Sequence, residues 1–541
     1  MHLKKSIIIR GGLLLNVLAL SACGGTPTSN QIAPAQTTAP VITSAGTDFY
    51  LTLPNHLCAS NPAACLTAPA TNKLIVAASS ATTGEMTFNG VVTPFSVAAG
   101  NQTVITLDPS VVLSSNELIE AKGVHVTALS PISVHVVSQS TTSAEGYMAL
   151  PTAGLGTKYY VMSRASSRFI GSEFALVATQ DATTVSITPT AAGATQSAGT
   201  TFSITLKSGE TYQLMNPAYA DMTGTLVTSD KPIAVFSGHR CTDLPSGTGY
   251  CDYLVEQLPD VSLWGKIHHA APFSGRARHT VRVLAAQDGT TFTTMPAGLF
   301  GTLNAGQFAD VDLSGTAEII SNNPVLVAQF MRGYADDTAA KGDPSMVIIT
   351  PAEMGMTDAT FGAHGLPGTT TVFMNVVTET ATLANLMLDN VAVNAANFTP
   401  VGGTSIYSVG TISMTPGAHT LLGATPYSAL VYDYGIASDA VSYAYPVASK
   451  LSFATLDPTP QMPPAICVGA DEHEEANHRS HTNTHVSHTN TGCGCKTDHP
   501  HHDHHNHEPH AHEHHEHTHH CSDDDLDKNE DHTHSDADSS V

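Results

Sequence analysis

Four times in this chain a proline stands just before a strongly apolar, β-branched run: Pro131 (SPISVHVVS), Pro232 (DKPIAVFSG), Pro324 (NPVLVAQFM) and Pro426 (TPYSALVYDYG), at separations of 101, 92 and 102 residues. Proline has no N–H for a ladder, so it is tolerated at the first position of a strand and excluded from the interior of a central one. A spacing of about 100 residues is that of one β-sandwich module. Two further elements recur ahead of each proline. An apolar run, a turn of small residues or Asp-Gly, and an alternating return run read as a hairpin at Ile75 to Phe88, Ala175 to Ile187, Val281 to Phe292 and Val372 to Leu388. A glycine turn follows at Gly100, Gly209, Gly306 and Gly417. Few windows sustain a helical period. The pattern predicts an all-β chain of about four tandem β-sandwich-like modules, over 48–160, 161–270, 271–360 and 361–456.

The ends differ in kind from this body. Residues 1–22 carry Lys4, Lys5 and Arg10 ahead of the apolar run Leu13 to Leu20, the pattern of a secretory signal peptide and too short for a membrane span. Leu20-Ser21-Ala22-Cys23 is similar to a bacterial lipobox, which makes Cys23 the expected lipidation site. Gly24 in the next position favours the outer membrane, where several acyl chains together give lasting attachment. Residues 23–47 are rich in Pro, Thr, Ser, Ala and Gly, a linker composition. The chain is therefore expected at the outer membrane, lipid-anchored and exposed at the cell surface.

The formal charge of −25 is unevenly placed: from Asp471 onward 17 acids face 3 basic residues, leaving −14 in that segment. The charge-poor remainder has no basic face for phosphate, which argues against a nucleic-acid partner. The tail, 457–541, loses apolar periodicity after Cys467 and holds 20 of the 30 histidines, a composition that cannot build a packed core. Its densest run offers His499, His501, His502, His504, His505, His507, His510, His512, His514, His515, His517, His519 and His520 as ligands. Imidazole suits Zn, Cu and Ni, and Cys493, Cys495 and Cys521 could add thiolates. At four ligands per ion, the tail could hold on the order of five zinc ions, with low specificity. The alternative is a solvated acidic brush. His515 to His519 spells H-E-x-x-H, but in so histidine-rich a run this spelling arises by chance and no helical pattern surrounds it.

Export places the remaining cysteines in an oxidising compartment, where the near pairs Cys58/Cys65 and Cys241/Cys251 are candidates for small-loop disulfides. Cys467 and the tail cysteines stay open between disulfides and metal ligands. The segment Ser229 to Met354, with SDKPIAVFSGHRC, CDYLVEQLP, WGK, QDGTT, NAG and GDPS, resembles the N-terminal domain of the IgG Fc-binding protein family. Gly238, His239, Cys241, Cys251, Asp252, Glu256, Gln257, Pro259, Trp264, Gly265, Lys266, Asp288, Gly289, Gly306, Gly342, Asp343, Pro344 and Ser345 carry the resemblance, which extends over about residues 150 to 355. It implies an all-β extracellular binding module, and no ligand-contacting residue transfers from it. A structural role accounts for the same landmarks: a disulfide stapling the irregular loop TDLPSGTGY, Trp264 as core anchor, and Asp252 and Glu256 capping turns or pairing locally.

No nucleophile elbow, phosphate-cradling loop or haem-attachment motif is present, and the adjacent His268 and His269 would point to opposite faces of a strand. The expectation is a non-enzymatic surface protein. Its β modules would bind an extracellular protein or glycan, and its tail would bind Zn, Cu or Ni. The alternative is a self-assembling filament or coat subunit cross-linked by metal.

Overall fold

The computed structural model describes residues 41–452 apart from 58–69, 141, 249, 337–340, 404 and 436–440. Cys23, Cys58, Cys65, Cys467 and all the tail ligands lie outside the described residues. Those that are described form an almost wholly β structure of four successive sheet modules.

Each module is organised by one long strand: Val124–Gln139, Ala317–Met331 and Gly417–Tyr434 in the first, third and fourth, and Leu226–Ser229 followed by Ile233–Thr242 in the second. The expected hairpins are not hairpins. Thr71–Ala78 and Thr82–Phe88 pair with the second and first halves of the long strand, and not with each other. The same holds for Ser172–Ala178 with Thr183–Thr188, His279–Ala285 with Thr290–Met295, and Val372–Glu379 with Met387–Leu388. A short turn between two apolar strands is read from sequence as a hairpin, yet here it carries the chain across the sandwich.

The recurrent proline marks the point where the long strand bends. Pro131, Pro324 and Pro426 do not open strands as expected; they lie inside continuous ones, at irregularities in pairing. Ala128 to Pro131 face only Thr47 on the leading strand, Ser321 to Pro324 only Lys266, and Gly423 to Pro426 only Thr357. Such a bulge needs no ladder N–H from proline, and it lets one strand serve both layers. Gly100, Gly209 and Gly306 take left-handed turns at φ +66°, +78° and +78°. Gly417 does not match them: it begins the long strand, and Gly402 and Gly403 make the corresponding turn of the fourth module.

After each long strand the chain turns back into a short inner strand: Ala144–Met148, Asp252–Gln257, Ser345–Ile348 and Ser442–Pro446, every residue of them buried. Each inner strand packs against the next and the last against the first, so the modules close into a ring around a shared hub. The ends of the described chain complete the closure, with Ser44 N–H donating to Ser449 O and Leu451 N–H to Ile42 O. Apolar cores run across module boundaries. Val177, Phe236 and Val255 of the second module share a cluster with Leu74 and Val134 of the first, and Ile75 and Val137 pack with Phe361 and Tyr443 of the fourth. This explains why Ser172–Ala178 and His279–Ala285 are buried at every position: one face meets the module's own core and the other meets a neighbour.

Candidate functional site

The residues that carry the family resemblance gather where the second module's long strand turns into its inner strand. Cys241 and Cys251 are disulfide-bonded with Cα atoms 5.2 Å apart, pinning the base of the loop Thr242 to Tyr250. Beneath it, Gly238 passes so close to the inner strand that a Cβ there would sit 1.8 Å from Leu254 O. His239 Nδ1 accepts from Cys241 N–H at 3.0 Å, and burial pushes its imidazole down to about 3, so it serves as a neutral acceptor. Asp243 is buried and organises the loop, accepting from Ser166 Oγ at 2.6 Å and Gly247 N–H at 2.7 Å. Leu244 O accepts from Gly333 N–H at 2.6 Å, which ties the loop to the third module.

On this base stands a small exposed patch. Tyr250 is 62% exposed at φ +67° and meets Tyr334 edge to face at 5.7 Å. Arg168 lies over Phe169 at 5.5 Å and donates to Thr248 O at 3.3 Å, beside the exposed Ile170. Neither the tyrosine pair nor the arginines were anticipated as site residues. A signal was available, because seven of the nine arginines fall between Arg164 and Arg332. Arg164 and Arg282 join the second and third modules, while Arg276, Arg278 and Arg332 brace the third. Arg282 bonds Asp310 and Asp221 at 2.7 Å while its guanidinium sits 3.9 Å over Phe308, and Arg332 bonds Asp312 and Asp336 at 2.7 Å.

Asp252 and Glu256 do not cap turns; they belong to the hub. Asp252 Oδ1 accepts from Ser143 Oγ, Ala144 N–H and Tyr253 N–H, and Glu256 Oε1 from Ile348 N–H at 3.3 Å. Glu145 accepts from Ser345 Oγ, Met346 N–H and Ala444 N–H, thereby joining three modules. Sequence could not show this, since the partners lie 200 to 299 residues away. Burial pushes Glu145 and Glu256 well above the usual carboxylate range, and the charge of Glu145 adds to the effect on Glu256. A hub cavity of about 40 Å³ beside Glu256, Gln257, Trp264 and His268 has room for water rather than for an organic ligand. Trp264 is buried as a core anchor, its Nε1 donating to Pro259 O at 3.3 Å. His268 and His269 are both buried, the latter 3.0 Å from Glu318. Among the described residues no group of three or more His, Cys, Asp or Glu is placed to hold a metal ion.

This arrangement offers a rigid contact surface. The family described as IgGFc binding protein matches residues 145–432, more than half of the chain and further toward the C-terminus than the quoted motifs reach. The human protein named IgGFc-binding protein is 28% identical over 274 residues, covering 49% of this chain and only 5% of its own length. With the stapled loop, the glycine crossing and the hub carboxylates all inside the matched region, the chain belongs to the IgGFc-binding protein family.

Proposed function

We propose that this is a cell-surface binding protein whose stapled-loop face contacts an extracellular protein or glycan. It would be anchored in the outer membrane through lipidated Cys23 and would carry a tail that binds Zn, Cu or Ni. The observation that carries the reading is the pairing of Tyr250 and Tyr334 beside Arg168, on a backbone fixed from below by the disulfide and a buried acceptor network. Tyrosine and arginine on a preorganised surface lose little entropy on binding and are enriched at interface hot spots. The human relative's name speaks of IgG Fc, which makes Fc one natural probe within a wider panel.

The test is a glycan and extracellular-protein binding screen with the full chain, repeated with Tyr250→Ala and Arg168→Ala. Each variant should weaken any captured ligand by about tenfold or more. Undiminished binding by both would move the contact elsewhere. For the tail, calorimetric titration should show Zn uptake by the full chain that is lost in a chain ending at Cys467; equal uptake would refute the assignment. A second reading, a coat or filament subunit cross-linked by metal, draws on the apolar side chains Phe300, Val391 and Val91 exposed on short strands outside the hub. Electron microscopy with and without zinc tests it, since monomers unchanged by metal would eliminate it.

A further inference from the structure

The hub surrounds one axis with four buried carboxyl groups: Glu145 on the first inner strand, Asp252 and Glu256 on the second, and Asp343 just before the third, none more than 1% exposed. Glu145, Asp252 and Glu256 accept from backbone N–H groups of neighbouring modules and Asp343 from Tyr334 N–H of its own, yet counter-charge is scarce. Arg276 acts on Asp343 but directs its guanidinium to the carbonyls of Lys341, Arg332 and Gly333. The other titratable or charged groups on the inner strands are Tyr147, Tyr253, Tyr443 and Tyr445, and on the halves of the long strands paired to them His135, His239, Arg240, Tyr432, Asp433 and Tyr434, with Arg332 just beyond the third. Adjoining segments add His56, Glu173 and Lys341. Asp252 Oδ2 and Asp343 Oδ1 are buried with no hydrogen-bond partner, and each aspartate has its other contacts within the hub or the stapled-loop face. Several ionised carboxylates could not share such a space without a cation.

We propose that the ring is locked by protons: Glu145, Asp252, Glu256 and Asp343 are held as neutral acids in the closed ring, and rising pH loosens the hub and the stapled loop above it. The electrostatics agree. Burial pushes all four carboxyls well above their usual range, and Asp343 adds to the shift of Asp252. A group with a raised folded-state pKa stabilises fully below its unfolded value and loses that contribution as pH climbs toward the folded value. The buried histidines run the other way. Burial lowers His56, His135, His279 and His364 to about 4, and His239 and His268 to about 3, so they destabilise only as pH falls below about 6.5. Above pH 7 these histidines are neutral in both states, and the slope is set by the hub carboxyls together with Glu173, which burial raises in the same way.

Thermal melting of the full chain from pH 7 to 9, with hydrogen exchange read in the four inner strands, tests the lock. The midpoint should fall by about 1–2 °C per pH unit for each proton retained in the folded state. Exchange in the inner strands, corrected for its intrinsic pH dependence, should rise before that of the outer strands. Asp343→Asn and Glu256→Gln should each flatten the slope, and the second keeps the test open if the first fails to fold. Melting independent of pH between 7 and 9 would overturn the proposal. So would a midpoint at pH 8 raised by Ca²⁺ or Mg²⁺ and no longer raised in the Asp343→Asn protein, because the hub would then be ionised around a cation.

Discussion

The first and fourth modules share their strand plan with the second and third, yet between residues 41 and 163 and between 333 and 452 there is no arginine at all. One register position makes the contrast concrete. Arg282, opposite Ala328, is replaced by Asn375 opposite Leu430 in the fourth module and by Ile75 opposite His135 in the first. The arginine stacks on Phe308 and holds two aspartates; the asparagine bonds Pro272 O and Thr411; the isoleucine packs in a core shared by two modules. The sandwich accepts all three, so the ion network is not a requirement of the fold. It distinguishes the two modules that flank the stapled loop, and it stiffens the surface proposed to bind.

The sharpest way to break the comparison is at the glycine crossing. Where the second module sets Gly238 against Val255, the first sets Val137 against Gly146 and the fourth Tyr432 against Ala444, so the small residue changes sides. Gly238→Ala should cost more than about 4 kcal/mol in chemical denaturation, since its Cβ would meet backbone. Gly100→Ala, with open space around it but φ +66°, should cost only about 1–2 kcal/mol. Next in size, Arg282→Ala leaves Asp221 and Asp310 facing a lost partner and should cost about 3–5 kcal/mol, against about 1–2 kcal/mol for Asn375→Ala. Similar losses at both positions would erase the distinction between the modules. Removing the staple with Cys241→Ser and Cys251→Ser should lower stability by about 2–3 kcal/mol. The smallest effect belongs to Tyr250→Ala, which should change stability by less than about 0.5 kcal/mol while weakening any ligand of this face.

Much of the architecture was legible because it rests on local chemistry repeated four times. Apolar β-branched runs after a proline marked the long strands, and a spacing of ten residues suggested the Cys241 and Cys251 pair. For Asp252 and Glu256 the sequence suggests turn caps or local pairing, because a carboxylate in sequence gives no sign of which distant backbone it will meet. Their acceptor roles depend on Ala144 and Ile348, which only the closed ring brings near. Tyr250 and Tyr334 are illegible as a pair for the same reason, being 84 positions apart in the chain and edge to face in space.

The sequence by itself determined the class of the chain, its modular period and the places where a strand could not continue unbent, because proline, glycine and β-branching act on their own backbone. Tertiary structure alone decided which strands pair. It carried each expected hairpin across the sandwich and gave both faces of the apolar strands a partner. By closing four modules into a ring, it also turned four scattered acids into one buried hub, since burial and shared donors arise only when distant segments exclude water together.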